Sequence, residues 1–568
     1  MKIKFCGAAE GVTGSCHLLA TDSHKILLDC GQYQGGKAQD EMNFMPFPFA
    51  VNDVEAVVLS HAHIDHCGRL PLLVKRGYDG PIYTTKATAD LLEVMLKDSA
   101  YIHEKEAEWK NKKADRLGRK HVEPLYTIED AEDALKLVKP VLYNQMVEIN
   151  EEMRVVFNDA GHILGSAIVE VWAKEGDGES KIVFSGDLGM TDRPIIHDPT
   201  FIKKADYVIM EATYGSRNHP ENSGSISKLL DIVLETTKRG GTVIIPSFAV
   251  GRTQELIYEF NKFFREDGEI RKKLENILIY VDSPMANMAT EVFRNNAQDF
   301  DDETKEFILR GDNPLDFPNL RFTRSTQDSM ALNGNHTPKV IISASGMCEA
   351  GRIRHHLKHG LWDSRNSIVF VGYQAEGTLG RRLVEGAEEV SIMGETIKVQ
   401  AQIHNLEGFS GHADQNGLLN WVGGFRQAPK KIFIVHGEIE SKKIFADLVR
   451  QKFDYDVQVV ESISEFELEK DKVQQLSSEN EIPLADKEEV ADLRLQLNEI
   501  KKDLDTILNN VGNAMTSDIS ARKANDINNY TQELKHIALN LGASVALEDR
   551  SECEELYDGA QHLSLIHI

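Results

Sequence analysis

Three imidazoles and a carboxylate fall within six consecutive residues, His61-Ala62-His63-Ile64-Asp65-His66. Imidazole nitrogen and carboxylate oxygen are the donors that zinc prefers at a catalytic site. Two alternating histidines can take one metal ion, and the Asp-His pair that follows can take another. A lone histidine is more often structural, but four ligand-type side chains in an HxHxDH run are hard to explain that way.

Such side chains need rigid elements behind them. Lys25-Ile26-Leu27-Leu28-Asp29, Ala56-Val57-Val58-Leu59-Ser60, Lys181-Ile182-Val183-Phe184-Ser185 and Tyr207-Val208-Ile209-Met210-Glu211 are short apolar runs that end in a polar residue. Each predicts a buried strand that delivers a polar side chain at its C-terminal end, where α/β folds place chemistry. From about 220 the pattern changes. Strands such as Thr242-Val243-Ile244-Ile245-Pro246 and Ile277-Leu278-Ile279-Tyr280 alternate with longer helical segments, which predicts a second α/β unit with a mostly parallel sheet. Lys431-Ile432-Phe433-Ile434-Val435-His436 is a strand at which the first unit resumes.

With 568 residues the chain is too long for one core. Its 41% hydrophobic and 27% charged residues suit a soluble globular protein. No apolar run approaches the roughly 20 residues of a membrane span, so no membrane role is expected, and no secretion signal is visible. Cys6, Cys16, Cys30, Cys67, Cys348 and Cys553 form no CxxC pair and read as reduced thiols, which points to a cytoplasmic protein. A net charge of −26 argues against a basic nucleic-acid coat protein. It leaves room for a nuclease whose metals and local cations attract phosphate.

The HxHxDH run resembles the signature of the metallo-β-lactamase superfamily. Asp29 matches the first motif of that family, His162 in Ala160-Gly161-His162-Ile163-Leu164-Gly165-Ser166 the third, and Asp187 in Ser185-Gly186-Asp187-Leu188-Gly189 the fourth. The resemblance implies an α/β fold, an αββα sandwich of two sheets with metals at one edge. His61, His63 and His162 would hold one zinc ion, Asp65 and His66 a second, and Asp187 would bridge the two, with Asp29 supporting from behind. It also implies a hydroxide between the metals as nucleophile, since bound ions lower the pKa of water.

Fold alone does not set the substrate. Met210-Glu211-Ala212-Thr213, Ser410-Gly411-His412-Ala413-Asp414 and Ile434-Val435-His436-Gly437 resemble motifs A, B and C of the β-CASP nucleases. The chain as a whole resembles bacterial and archaeal relatives of the nuclease subunit of the cleavage and polyadenylation specificity factor. The resemblance implies an inserted β-CASP domain and a zinc-dependent ribonuclease, endonucleolytic with 5′-exonucleolytic trimming open, acting on single-stranded RNA. His436 would complete the second metal's shell. His412, oriented by Glu211, is the candidate general acid, or else a hydrogen-bond donor to a phosphoryl oxygen. Loops after strands place Ser247, Arg252, Ser345, Gly346 and Arg382 as candidate phosphate contacts, although tight turns explain their glycines as well. The basic stretch Lys110 to His121 either flanks an RNA channel or is a solvated loop. A small-molecule hydrolase, a non-catalytic RNA-processing scaffold and a DNA nuclease are the competing readings.

The expected division is 1–205 for the first part of the metallo-β-lactamase domain, 206–404 for the β-CASP domain and 405–470 for the second part of the first domain. Residues 480–545 carry Val490, Leu493, Leu497, Ile500, Leu504, Ile507 and Val511 at heptad spacing, then Ile527, Tyr530, Leu534, Ile537 and Leu541. That pattern predicts a helical hairpin, which either makes a homodimer or folds onto its own body. The last six residues, Leu563 to Ile568, look foreign to the rest. Removing the chain from about 480 onward should lower the oligomeric state without loss of metal. An unchanged mass in solution refutes the dimer.

Overall fold

The computed structural model describes residues 1–478 apart from 119, 176–177, 220–223, 267, 373, 376, 407–409 and 469–472. The hairpin of 480–545 and the six terminal residues lie outside the described residues. Among those described, no helix is long and apolar enough to cross a membrane.

Two sheets face one another. The first has eight strands in the order Val473–Ser478, Ser464–Leu468, Lys2–Phe5, His17–Ala20, Lys25–Leu28, Ala56–Val58, Ile82–Thr85 and Val138–Val141. Its pairings are antiparallel up to Lys25–Leu28 and parallel beyond it. The second has seven, in the order Val457–Val459, Lys431–Val435, Tyr207–Glu211, Gly178–Phe184, Ala167–Glu175, Met153–Asp159 and Met146–Glu148. Ile3, Phe5, Leu28 and Val58 from one sheet pack against Val169, Val171, Phe184, Ile209 and Phe433 from the other. Phe5, Phe433 and Phe466 meet at centroid separations of 5.2, 5.0 and 5.8 Å, which locks the returning C-terminal strands to the first one. Such pairs contribute about 0.5–1.5 kcal/mol each beyond their buried area.

Helices cover both outer faces. The helix Lys86–Leu117 and its neighbours bury Leu91, Leu92 and Leu96 against the layer that includes Leu27, Val57 and Leu59. The helices Gln415–Val422 and Ile439–Phe453 bury Leu418, Trp421, Phe445 and Val449 against Val183, Val208 and Met210. Strands covered on both sides read as continuous apolar runs, as Tyr207–Glu211 does with all five residues buried.

A third sheet of six parallel strands runs Leu320–Phe322, Leu278–Val281, Lys339–Ser343, Thr242–Pro246, Ser367–Phe370 and Gln402–Asn405. It docks on the sandwich through the helix Pro284–Asn295, where Asn296 Nδ2 donates to Asp90 on the helix Lys86–Leu117 at 2.8 Å. Tyr207–Glu211 pairs in parallel with Gly178–Phe184 and with Lys431–Val435 in the second sheet. A division at 205/206 therefore falls one strand before the chain leaves the sandwich. An apolar run shows that a strand is buried but not which sheet buries it. The basic stretch from Lys110 begins inside the helix that ends at Leu117, so most of it is helical rather than a loop.

Asp159 ends the strand Met153–Asp159, and its Oδ1 accepts the Gly161 N–H at 2.9 Å. Burial, with Asp299 and Asp198 adding, pushes its carboxyl up to about 7. The native state then holds a proton between about pH 4 and pH 7 that the unfolded chain has lost, so stability falls as pH rises through that window. Asp159→Asn should remove up to about 2–4 kcal/mol of that decline. Urea midpoints of the two proteins across that range check it, and identical slopes would sink the assignment.

Candidate metal centre

Asp29, directly after Lys25–Leu28, has a left-handed backbone with φ 60°, a conformation that aspartate tolerates better than most residues. It is fully buried. Its Oδ1 accepts the Ser60 N–H at 2.8 Å, and its Oδ2 accepts the hydroxyls of Ser15 at 3.0 Å and Ser60 at 2.9 Å. The same Oδ2 stands 2.7 Å from His66 Nδ1. The strand Ala56–Val58 leads through Ser60 into His61, and the short helix Ile64–Cys67, capped by His63, turns Asp65 and His66 inward. Gly31 lets its loop pass under that helix, since a Cβ there would lie 1.6 Å from the Asp65 carbonyl oxygen. Gly189 plays the same part between the loops of Asp187 and His162, where a Cβ would lie 1.6 Å from the Gly161 oxygen.

The donors form two adjoining groups, His61, His63, His162 and Asp187, then Asp65, His66 and His436. His63 Nδ1 is 3.1 Å from His61 Nε2 and 3.1 Å from His162 Nε2. His66 Nε2 is 3.1 Å from His436 Nε2, which is 3.5 Å from Asp65 Oδ2. Asp187 spans both groups. Its Oδ2 lies 3.6 Å from His61 Nε2 and 3.7 Å from His162 Nε2, and its Oδ1 lies 3.2 Å from His66 Nε2.

The second nitrogen of four rings is fixed by an acceptor. His61 Nδ1 meets the Ser60 hydroxyl at 3.0 Å, and His162 Nδ1 meets the Gly411 carbonyl at 3.0 Å. His66 Nδ1 meets Asp29, and His436 Nδ1 meets the Thr213 hydroxyl at 3.1 Å. Each Nε2 is thereby turned toward the centre, the arrangement that orients metal-binding histidines. Burial pushes His61 and His162 well below the usual imidazole range and His63 down to about 4, so all three are neutral near pH 7. His63 Nδ1 carries at most one proton yet faces two Nε2 atoms at 3.1 Å, so at least one contact sets lone pair against lone pair unless a cation stands among them. Burial also depresses His66, yet Asp187 and Asp65 outweigh it and hold that ring well above its usual range. The pocket thus draws in positive charge, and the buried Asp187 Oδ1 accepts no well-aligned hydrogen bond. The donor set fits divalent metal.

Beside this centre, Glu211 is fully buried at the end of Tyr207–Glu211. Its Oε1 accepts the Leu188 N–H at 2.6 Å and its Oε2 the Thr213 N–H at 3.2 Å. His412 Nδ1 lies 3.2 Å from Glu211 Oε1 and 3.8 Å from Asp187. Burial lowers the affinity of His412 for a proton, but Glu211, with Asp187 and Asp65, carries it up to about 9. Its side chain keeps 22% exposure, whereas Glu211 has none.

The phosphate candidates are less uniform. Ser247 is buried and accepts the Thr253 hydroxyl at 3.1 Å. A Cβ at Gly346 would meet the Phe248 ring at 3.1 Å, and one at Gly251 would meet Ile163 at 3.3 Å. The loop after Thr242–Pro246 therefore links the residue beside His162 to Gly346. Ser345 is half-buried, its hydroxyl 3.4 Å from the Ala350 N–H. Arg252 is buried and ion-paired with Glu255, which also pairs with Arg193, so its guanidinium is committed inside the protein. Arg382 is exposed on the helix Leu379–Val384, with no side-chain hydrogen bond among the described residues.

Sequence reading assigned no role to Ser15, Ser60, Thr213 and Arg193. Ser60 stands next to His61 in the chain, a signal that could have found it. Arg193, whose guanidinium donates to the Ser410 carbonyl at 2.7 Å, gives none. Asp29→Ala should lower metal affinity about 10–100-fold in chelator competition while leaving the fold in place. Unchanged affinity would remove its supporting role.

Domain models match in the same order as this geometry. The metallo-beta-lactamase superfamily domain matches residues 18–198, the Beta-Casp domain residues 253–383, and the Zn-dependent metallo-hydrolase RNA specificity domain residues 396–460. The chain is 39% identical over 440 residues to Ribonuclease TTHA0252 of Thermus thermophilus, covering 78% of this chain and 94% of that one. It is 34% identical over 463 residues to the transcription termination factor FttA of Methanocaldococcus jannaschii, covering 80% and 69%. It is 32% identical over 452 residues to the FttA of Methanococcus maripaludis, covering 77% and 67%. Matches of that extent, on a chain that closes the expected donors into one centre, make this protein a member of the β-CASP family of the metallo-β-lactamase superfamily, a metal-dependent hydrolase.

Proposed function

We propose that the chain is a zinc-dependent ribonuclease that hydrolyses single-stranded RNA internally, with trimming from a 5′ end as a second mode. The observation that carries this reading is the His412–Glu211 pair set directly against a complete two-group metal centre. A phosphodiesterase needs a proton source beside its nucleophile and charge-stabilising groups, and a purely structural metal site does not. The ribonuclease among the relatives, matched over nearly its whole length, supports RNA as substrate.

His61, His63 and His162 would hold one zinc ion, Asp65, His66 and His436 a second, and Asp187 would reach both. Ions bound there lower the pKa of water toward neutrality and neutralise phosphate charge. The chain's own residues supply the rest. Glu211 takes the Nδ1–H of His412, so the mobile proton sits on Nε2. That nitrogen delivers it to the leaving oxygen as the phosphorus–oxygen bond breaks. Ser345 and Gly346 contact phosphate, with Ser247 and the paired Arg252 shaping the loop beside them and Arg382 reached only by a longer substrate. The three-part division near 1–205, 206–404 and 405–470, with the strand Tyr207–Glu211 counted in the first part, and a homodimer through the hairpin of 480–545 belong to this proposal.

Metal-loaded protein and its Asp65→Ala variant should be compared on 5′-labelled linear RNA, circular RNA and matched DNA. Asp65-dependent cutting of the circle is expected. Metal-loaded protein that cuts no nucleic acid would overturn the reading. His412→Ala should slow cleavage about 10²–10⁴-fold with metal content unchanged. His412→Gln can donate a hydrogen bond but cannot transfer a proton, so near-normal rates from it would exclude the general-acid role.

A further inference from the structure

The helix Lys86–Leu117 packs differently along its two halves. Its first half is gripped, with Leu91, Leu92, Met95, Leu96 and Ala100 buried. Its start is fastened to the loop of His162, where the hydroxyls of Thr85 and Thr88 donate to the Gly165 carbonyl at 2.6 and 2.8 Å. Beyond Ala100 only Ala107 and Ala114 are buried. The inner side of the later turns is held by polar contacts instead: His103 reaches Gln32 at 3.3 Å, Glu104 accepts the Ile128 N–H at 2.9 Å, and Asn111 exchanges hydrogen bonds with the Val122 backbone.

The outer face of those turns has an uncommon make-up. At 3.6 residues per turn, Tyr101, Lys105, Trp109, Lys112, Lys113 and Arg116 all lie within about 80° of Trp109. Tyr101 is 51% and Trp109 65% exposed. The Lys105 ammonium stands 5.6 Å from the Tyr101 ring centre and the Lys113 ammonium 6.0 Å from that of Trp109. Lysines elsewhere on this helix pair with acids one turn away, as Lys86 does with Asp90, Lys97 with Glu93 and Lys110 with Glu106. Lys105 pairs with Glu108, but Lys112, Lys113 and Arg116 form no ion pair among the described residues. In a chain of net charge −26, Lys112, Lys113 and Arg116 gather beside an exposed indole, with Glu108 one turn from Lys112 and Glu106 on the flank of the same face.

We propose that this outer face binds single-stranded RNA, holding a stretch of substrate remote from the scissile phosphate. The proposal rests on the ribonuclease reading. Interleaved rings and cations suit that occupant, since bases stack on aromatic faces and phosphates pair with ammonium and guanidinium groups. A protein-docking helix would instead present a continuous aliphatic stripe. Trp109 lies about 35 Å along the axis from the end anchored on the His162 loop, a reach for which only a long substrate suffices.

The test uses the full metal-loaded chain, Trp109→Ala, and the triple variant Lys112→Ala, Lys113→Ala, Arg116→Ala, changes that favour helix. Cleavage is measured on RNAs of about 6 and about 30 nucleotides, the second well beyond the roughly 4–16 nucleotides that one single-strand site covers. Expected is a rise in KM of about tenfold for the long RNA, with kcat and the short-RNA kinetics unchanged. In the triple variant, the slope of log KM against log salt should fall by about 2. Ultraviolet cross-linking of long RNA should label the Trp109 peptide in the parent. Equal KM values on both lengths in all proteins, or no cross-link, would overturn the proposal and leave the face to a protein partner. Parent protein that cuts neither RNA would instead count against the ribonuclease reading itself.

Discussion

Asp187 carries its charge at a position 1% exposed, with His61 and His162 beside one oxygen and His66 and His436 beside the other. Burying an isolated carboxylate costs several kcal/mol unless opposite charge and hydrogen bonds surround it. Burial alone would raise its pKa, yet His436 and His66 hold it well below the usual range. The rest of the sandwich can be understood as the apparatus that keeps those rings in place. The ligands sit in the segments that follow strands, Asp65 and His66 on the short helix Ile64–Cys67, and two strands are followed by left-handed residues, Asp29 and His436. Backbone of that kind persists only where its surroundings over-determine it. Around His436 they do. Its N–H donates to the Ala8 carbonyl at 2.8 Å, and the buried ammonium of Lys442 donates to Ala9 and Val460 close by.

The third sheet adds no ligand to the metal groups. Its contribution is a wall beside them, brought close where Gly251 meets Ile163 and where Glu255 meets Arg193. The hydrophobic core supports that closeness, since one continuous cluster contains Leu91 and Met95 of the sandwich helix together with Phe293 and Phe300 of the inserted unit. The candidate metal centre and the third sheet beside it are therefore built on one packed body.

Much of the centre was legible in the sequence because metal ligands are few in kind and their spacing is stiff. HxHxDH, His162 and Asp187 could be read from residue type and from their place after an apolar run. His412 and Glu211 required a family pattern, since 201 residues separate them and nothing local joins them. Ser15 and Thr213 were silent because a hydroxyl at a strand end is common and its use depends on what folds against it. Arg252 was read as a phosphate ligand from its place in a glycine-containing loop. Glu255, one turn further along the helix, was the local sign that its charge is spoken for. The run Tyr207–Glu211 announced a buried strand, but its place in the second sheet depends on Lys431–Val435, which returns more than two hundred residues later.

Arg193 has a consequence of another kind. One of its nitrogens pairs with Glu255 on the first helix turn of the inserted unit, and another holds the carbonyl of Ser410, two residues before His412. Both groups are nearly sealed from water, where a broken ion pair is not rescued by solvent. A displacement of the inserted unit must either break that buried pair or drag the His412 loop with it. Displacement of the inserted unit and displacement of the His412 loop are thus a single mechanical event.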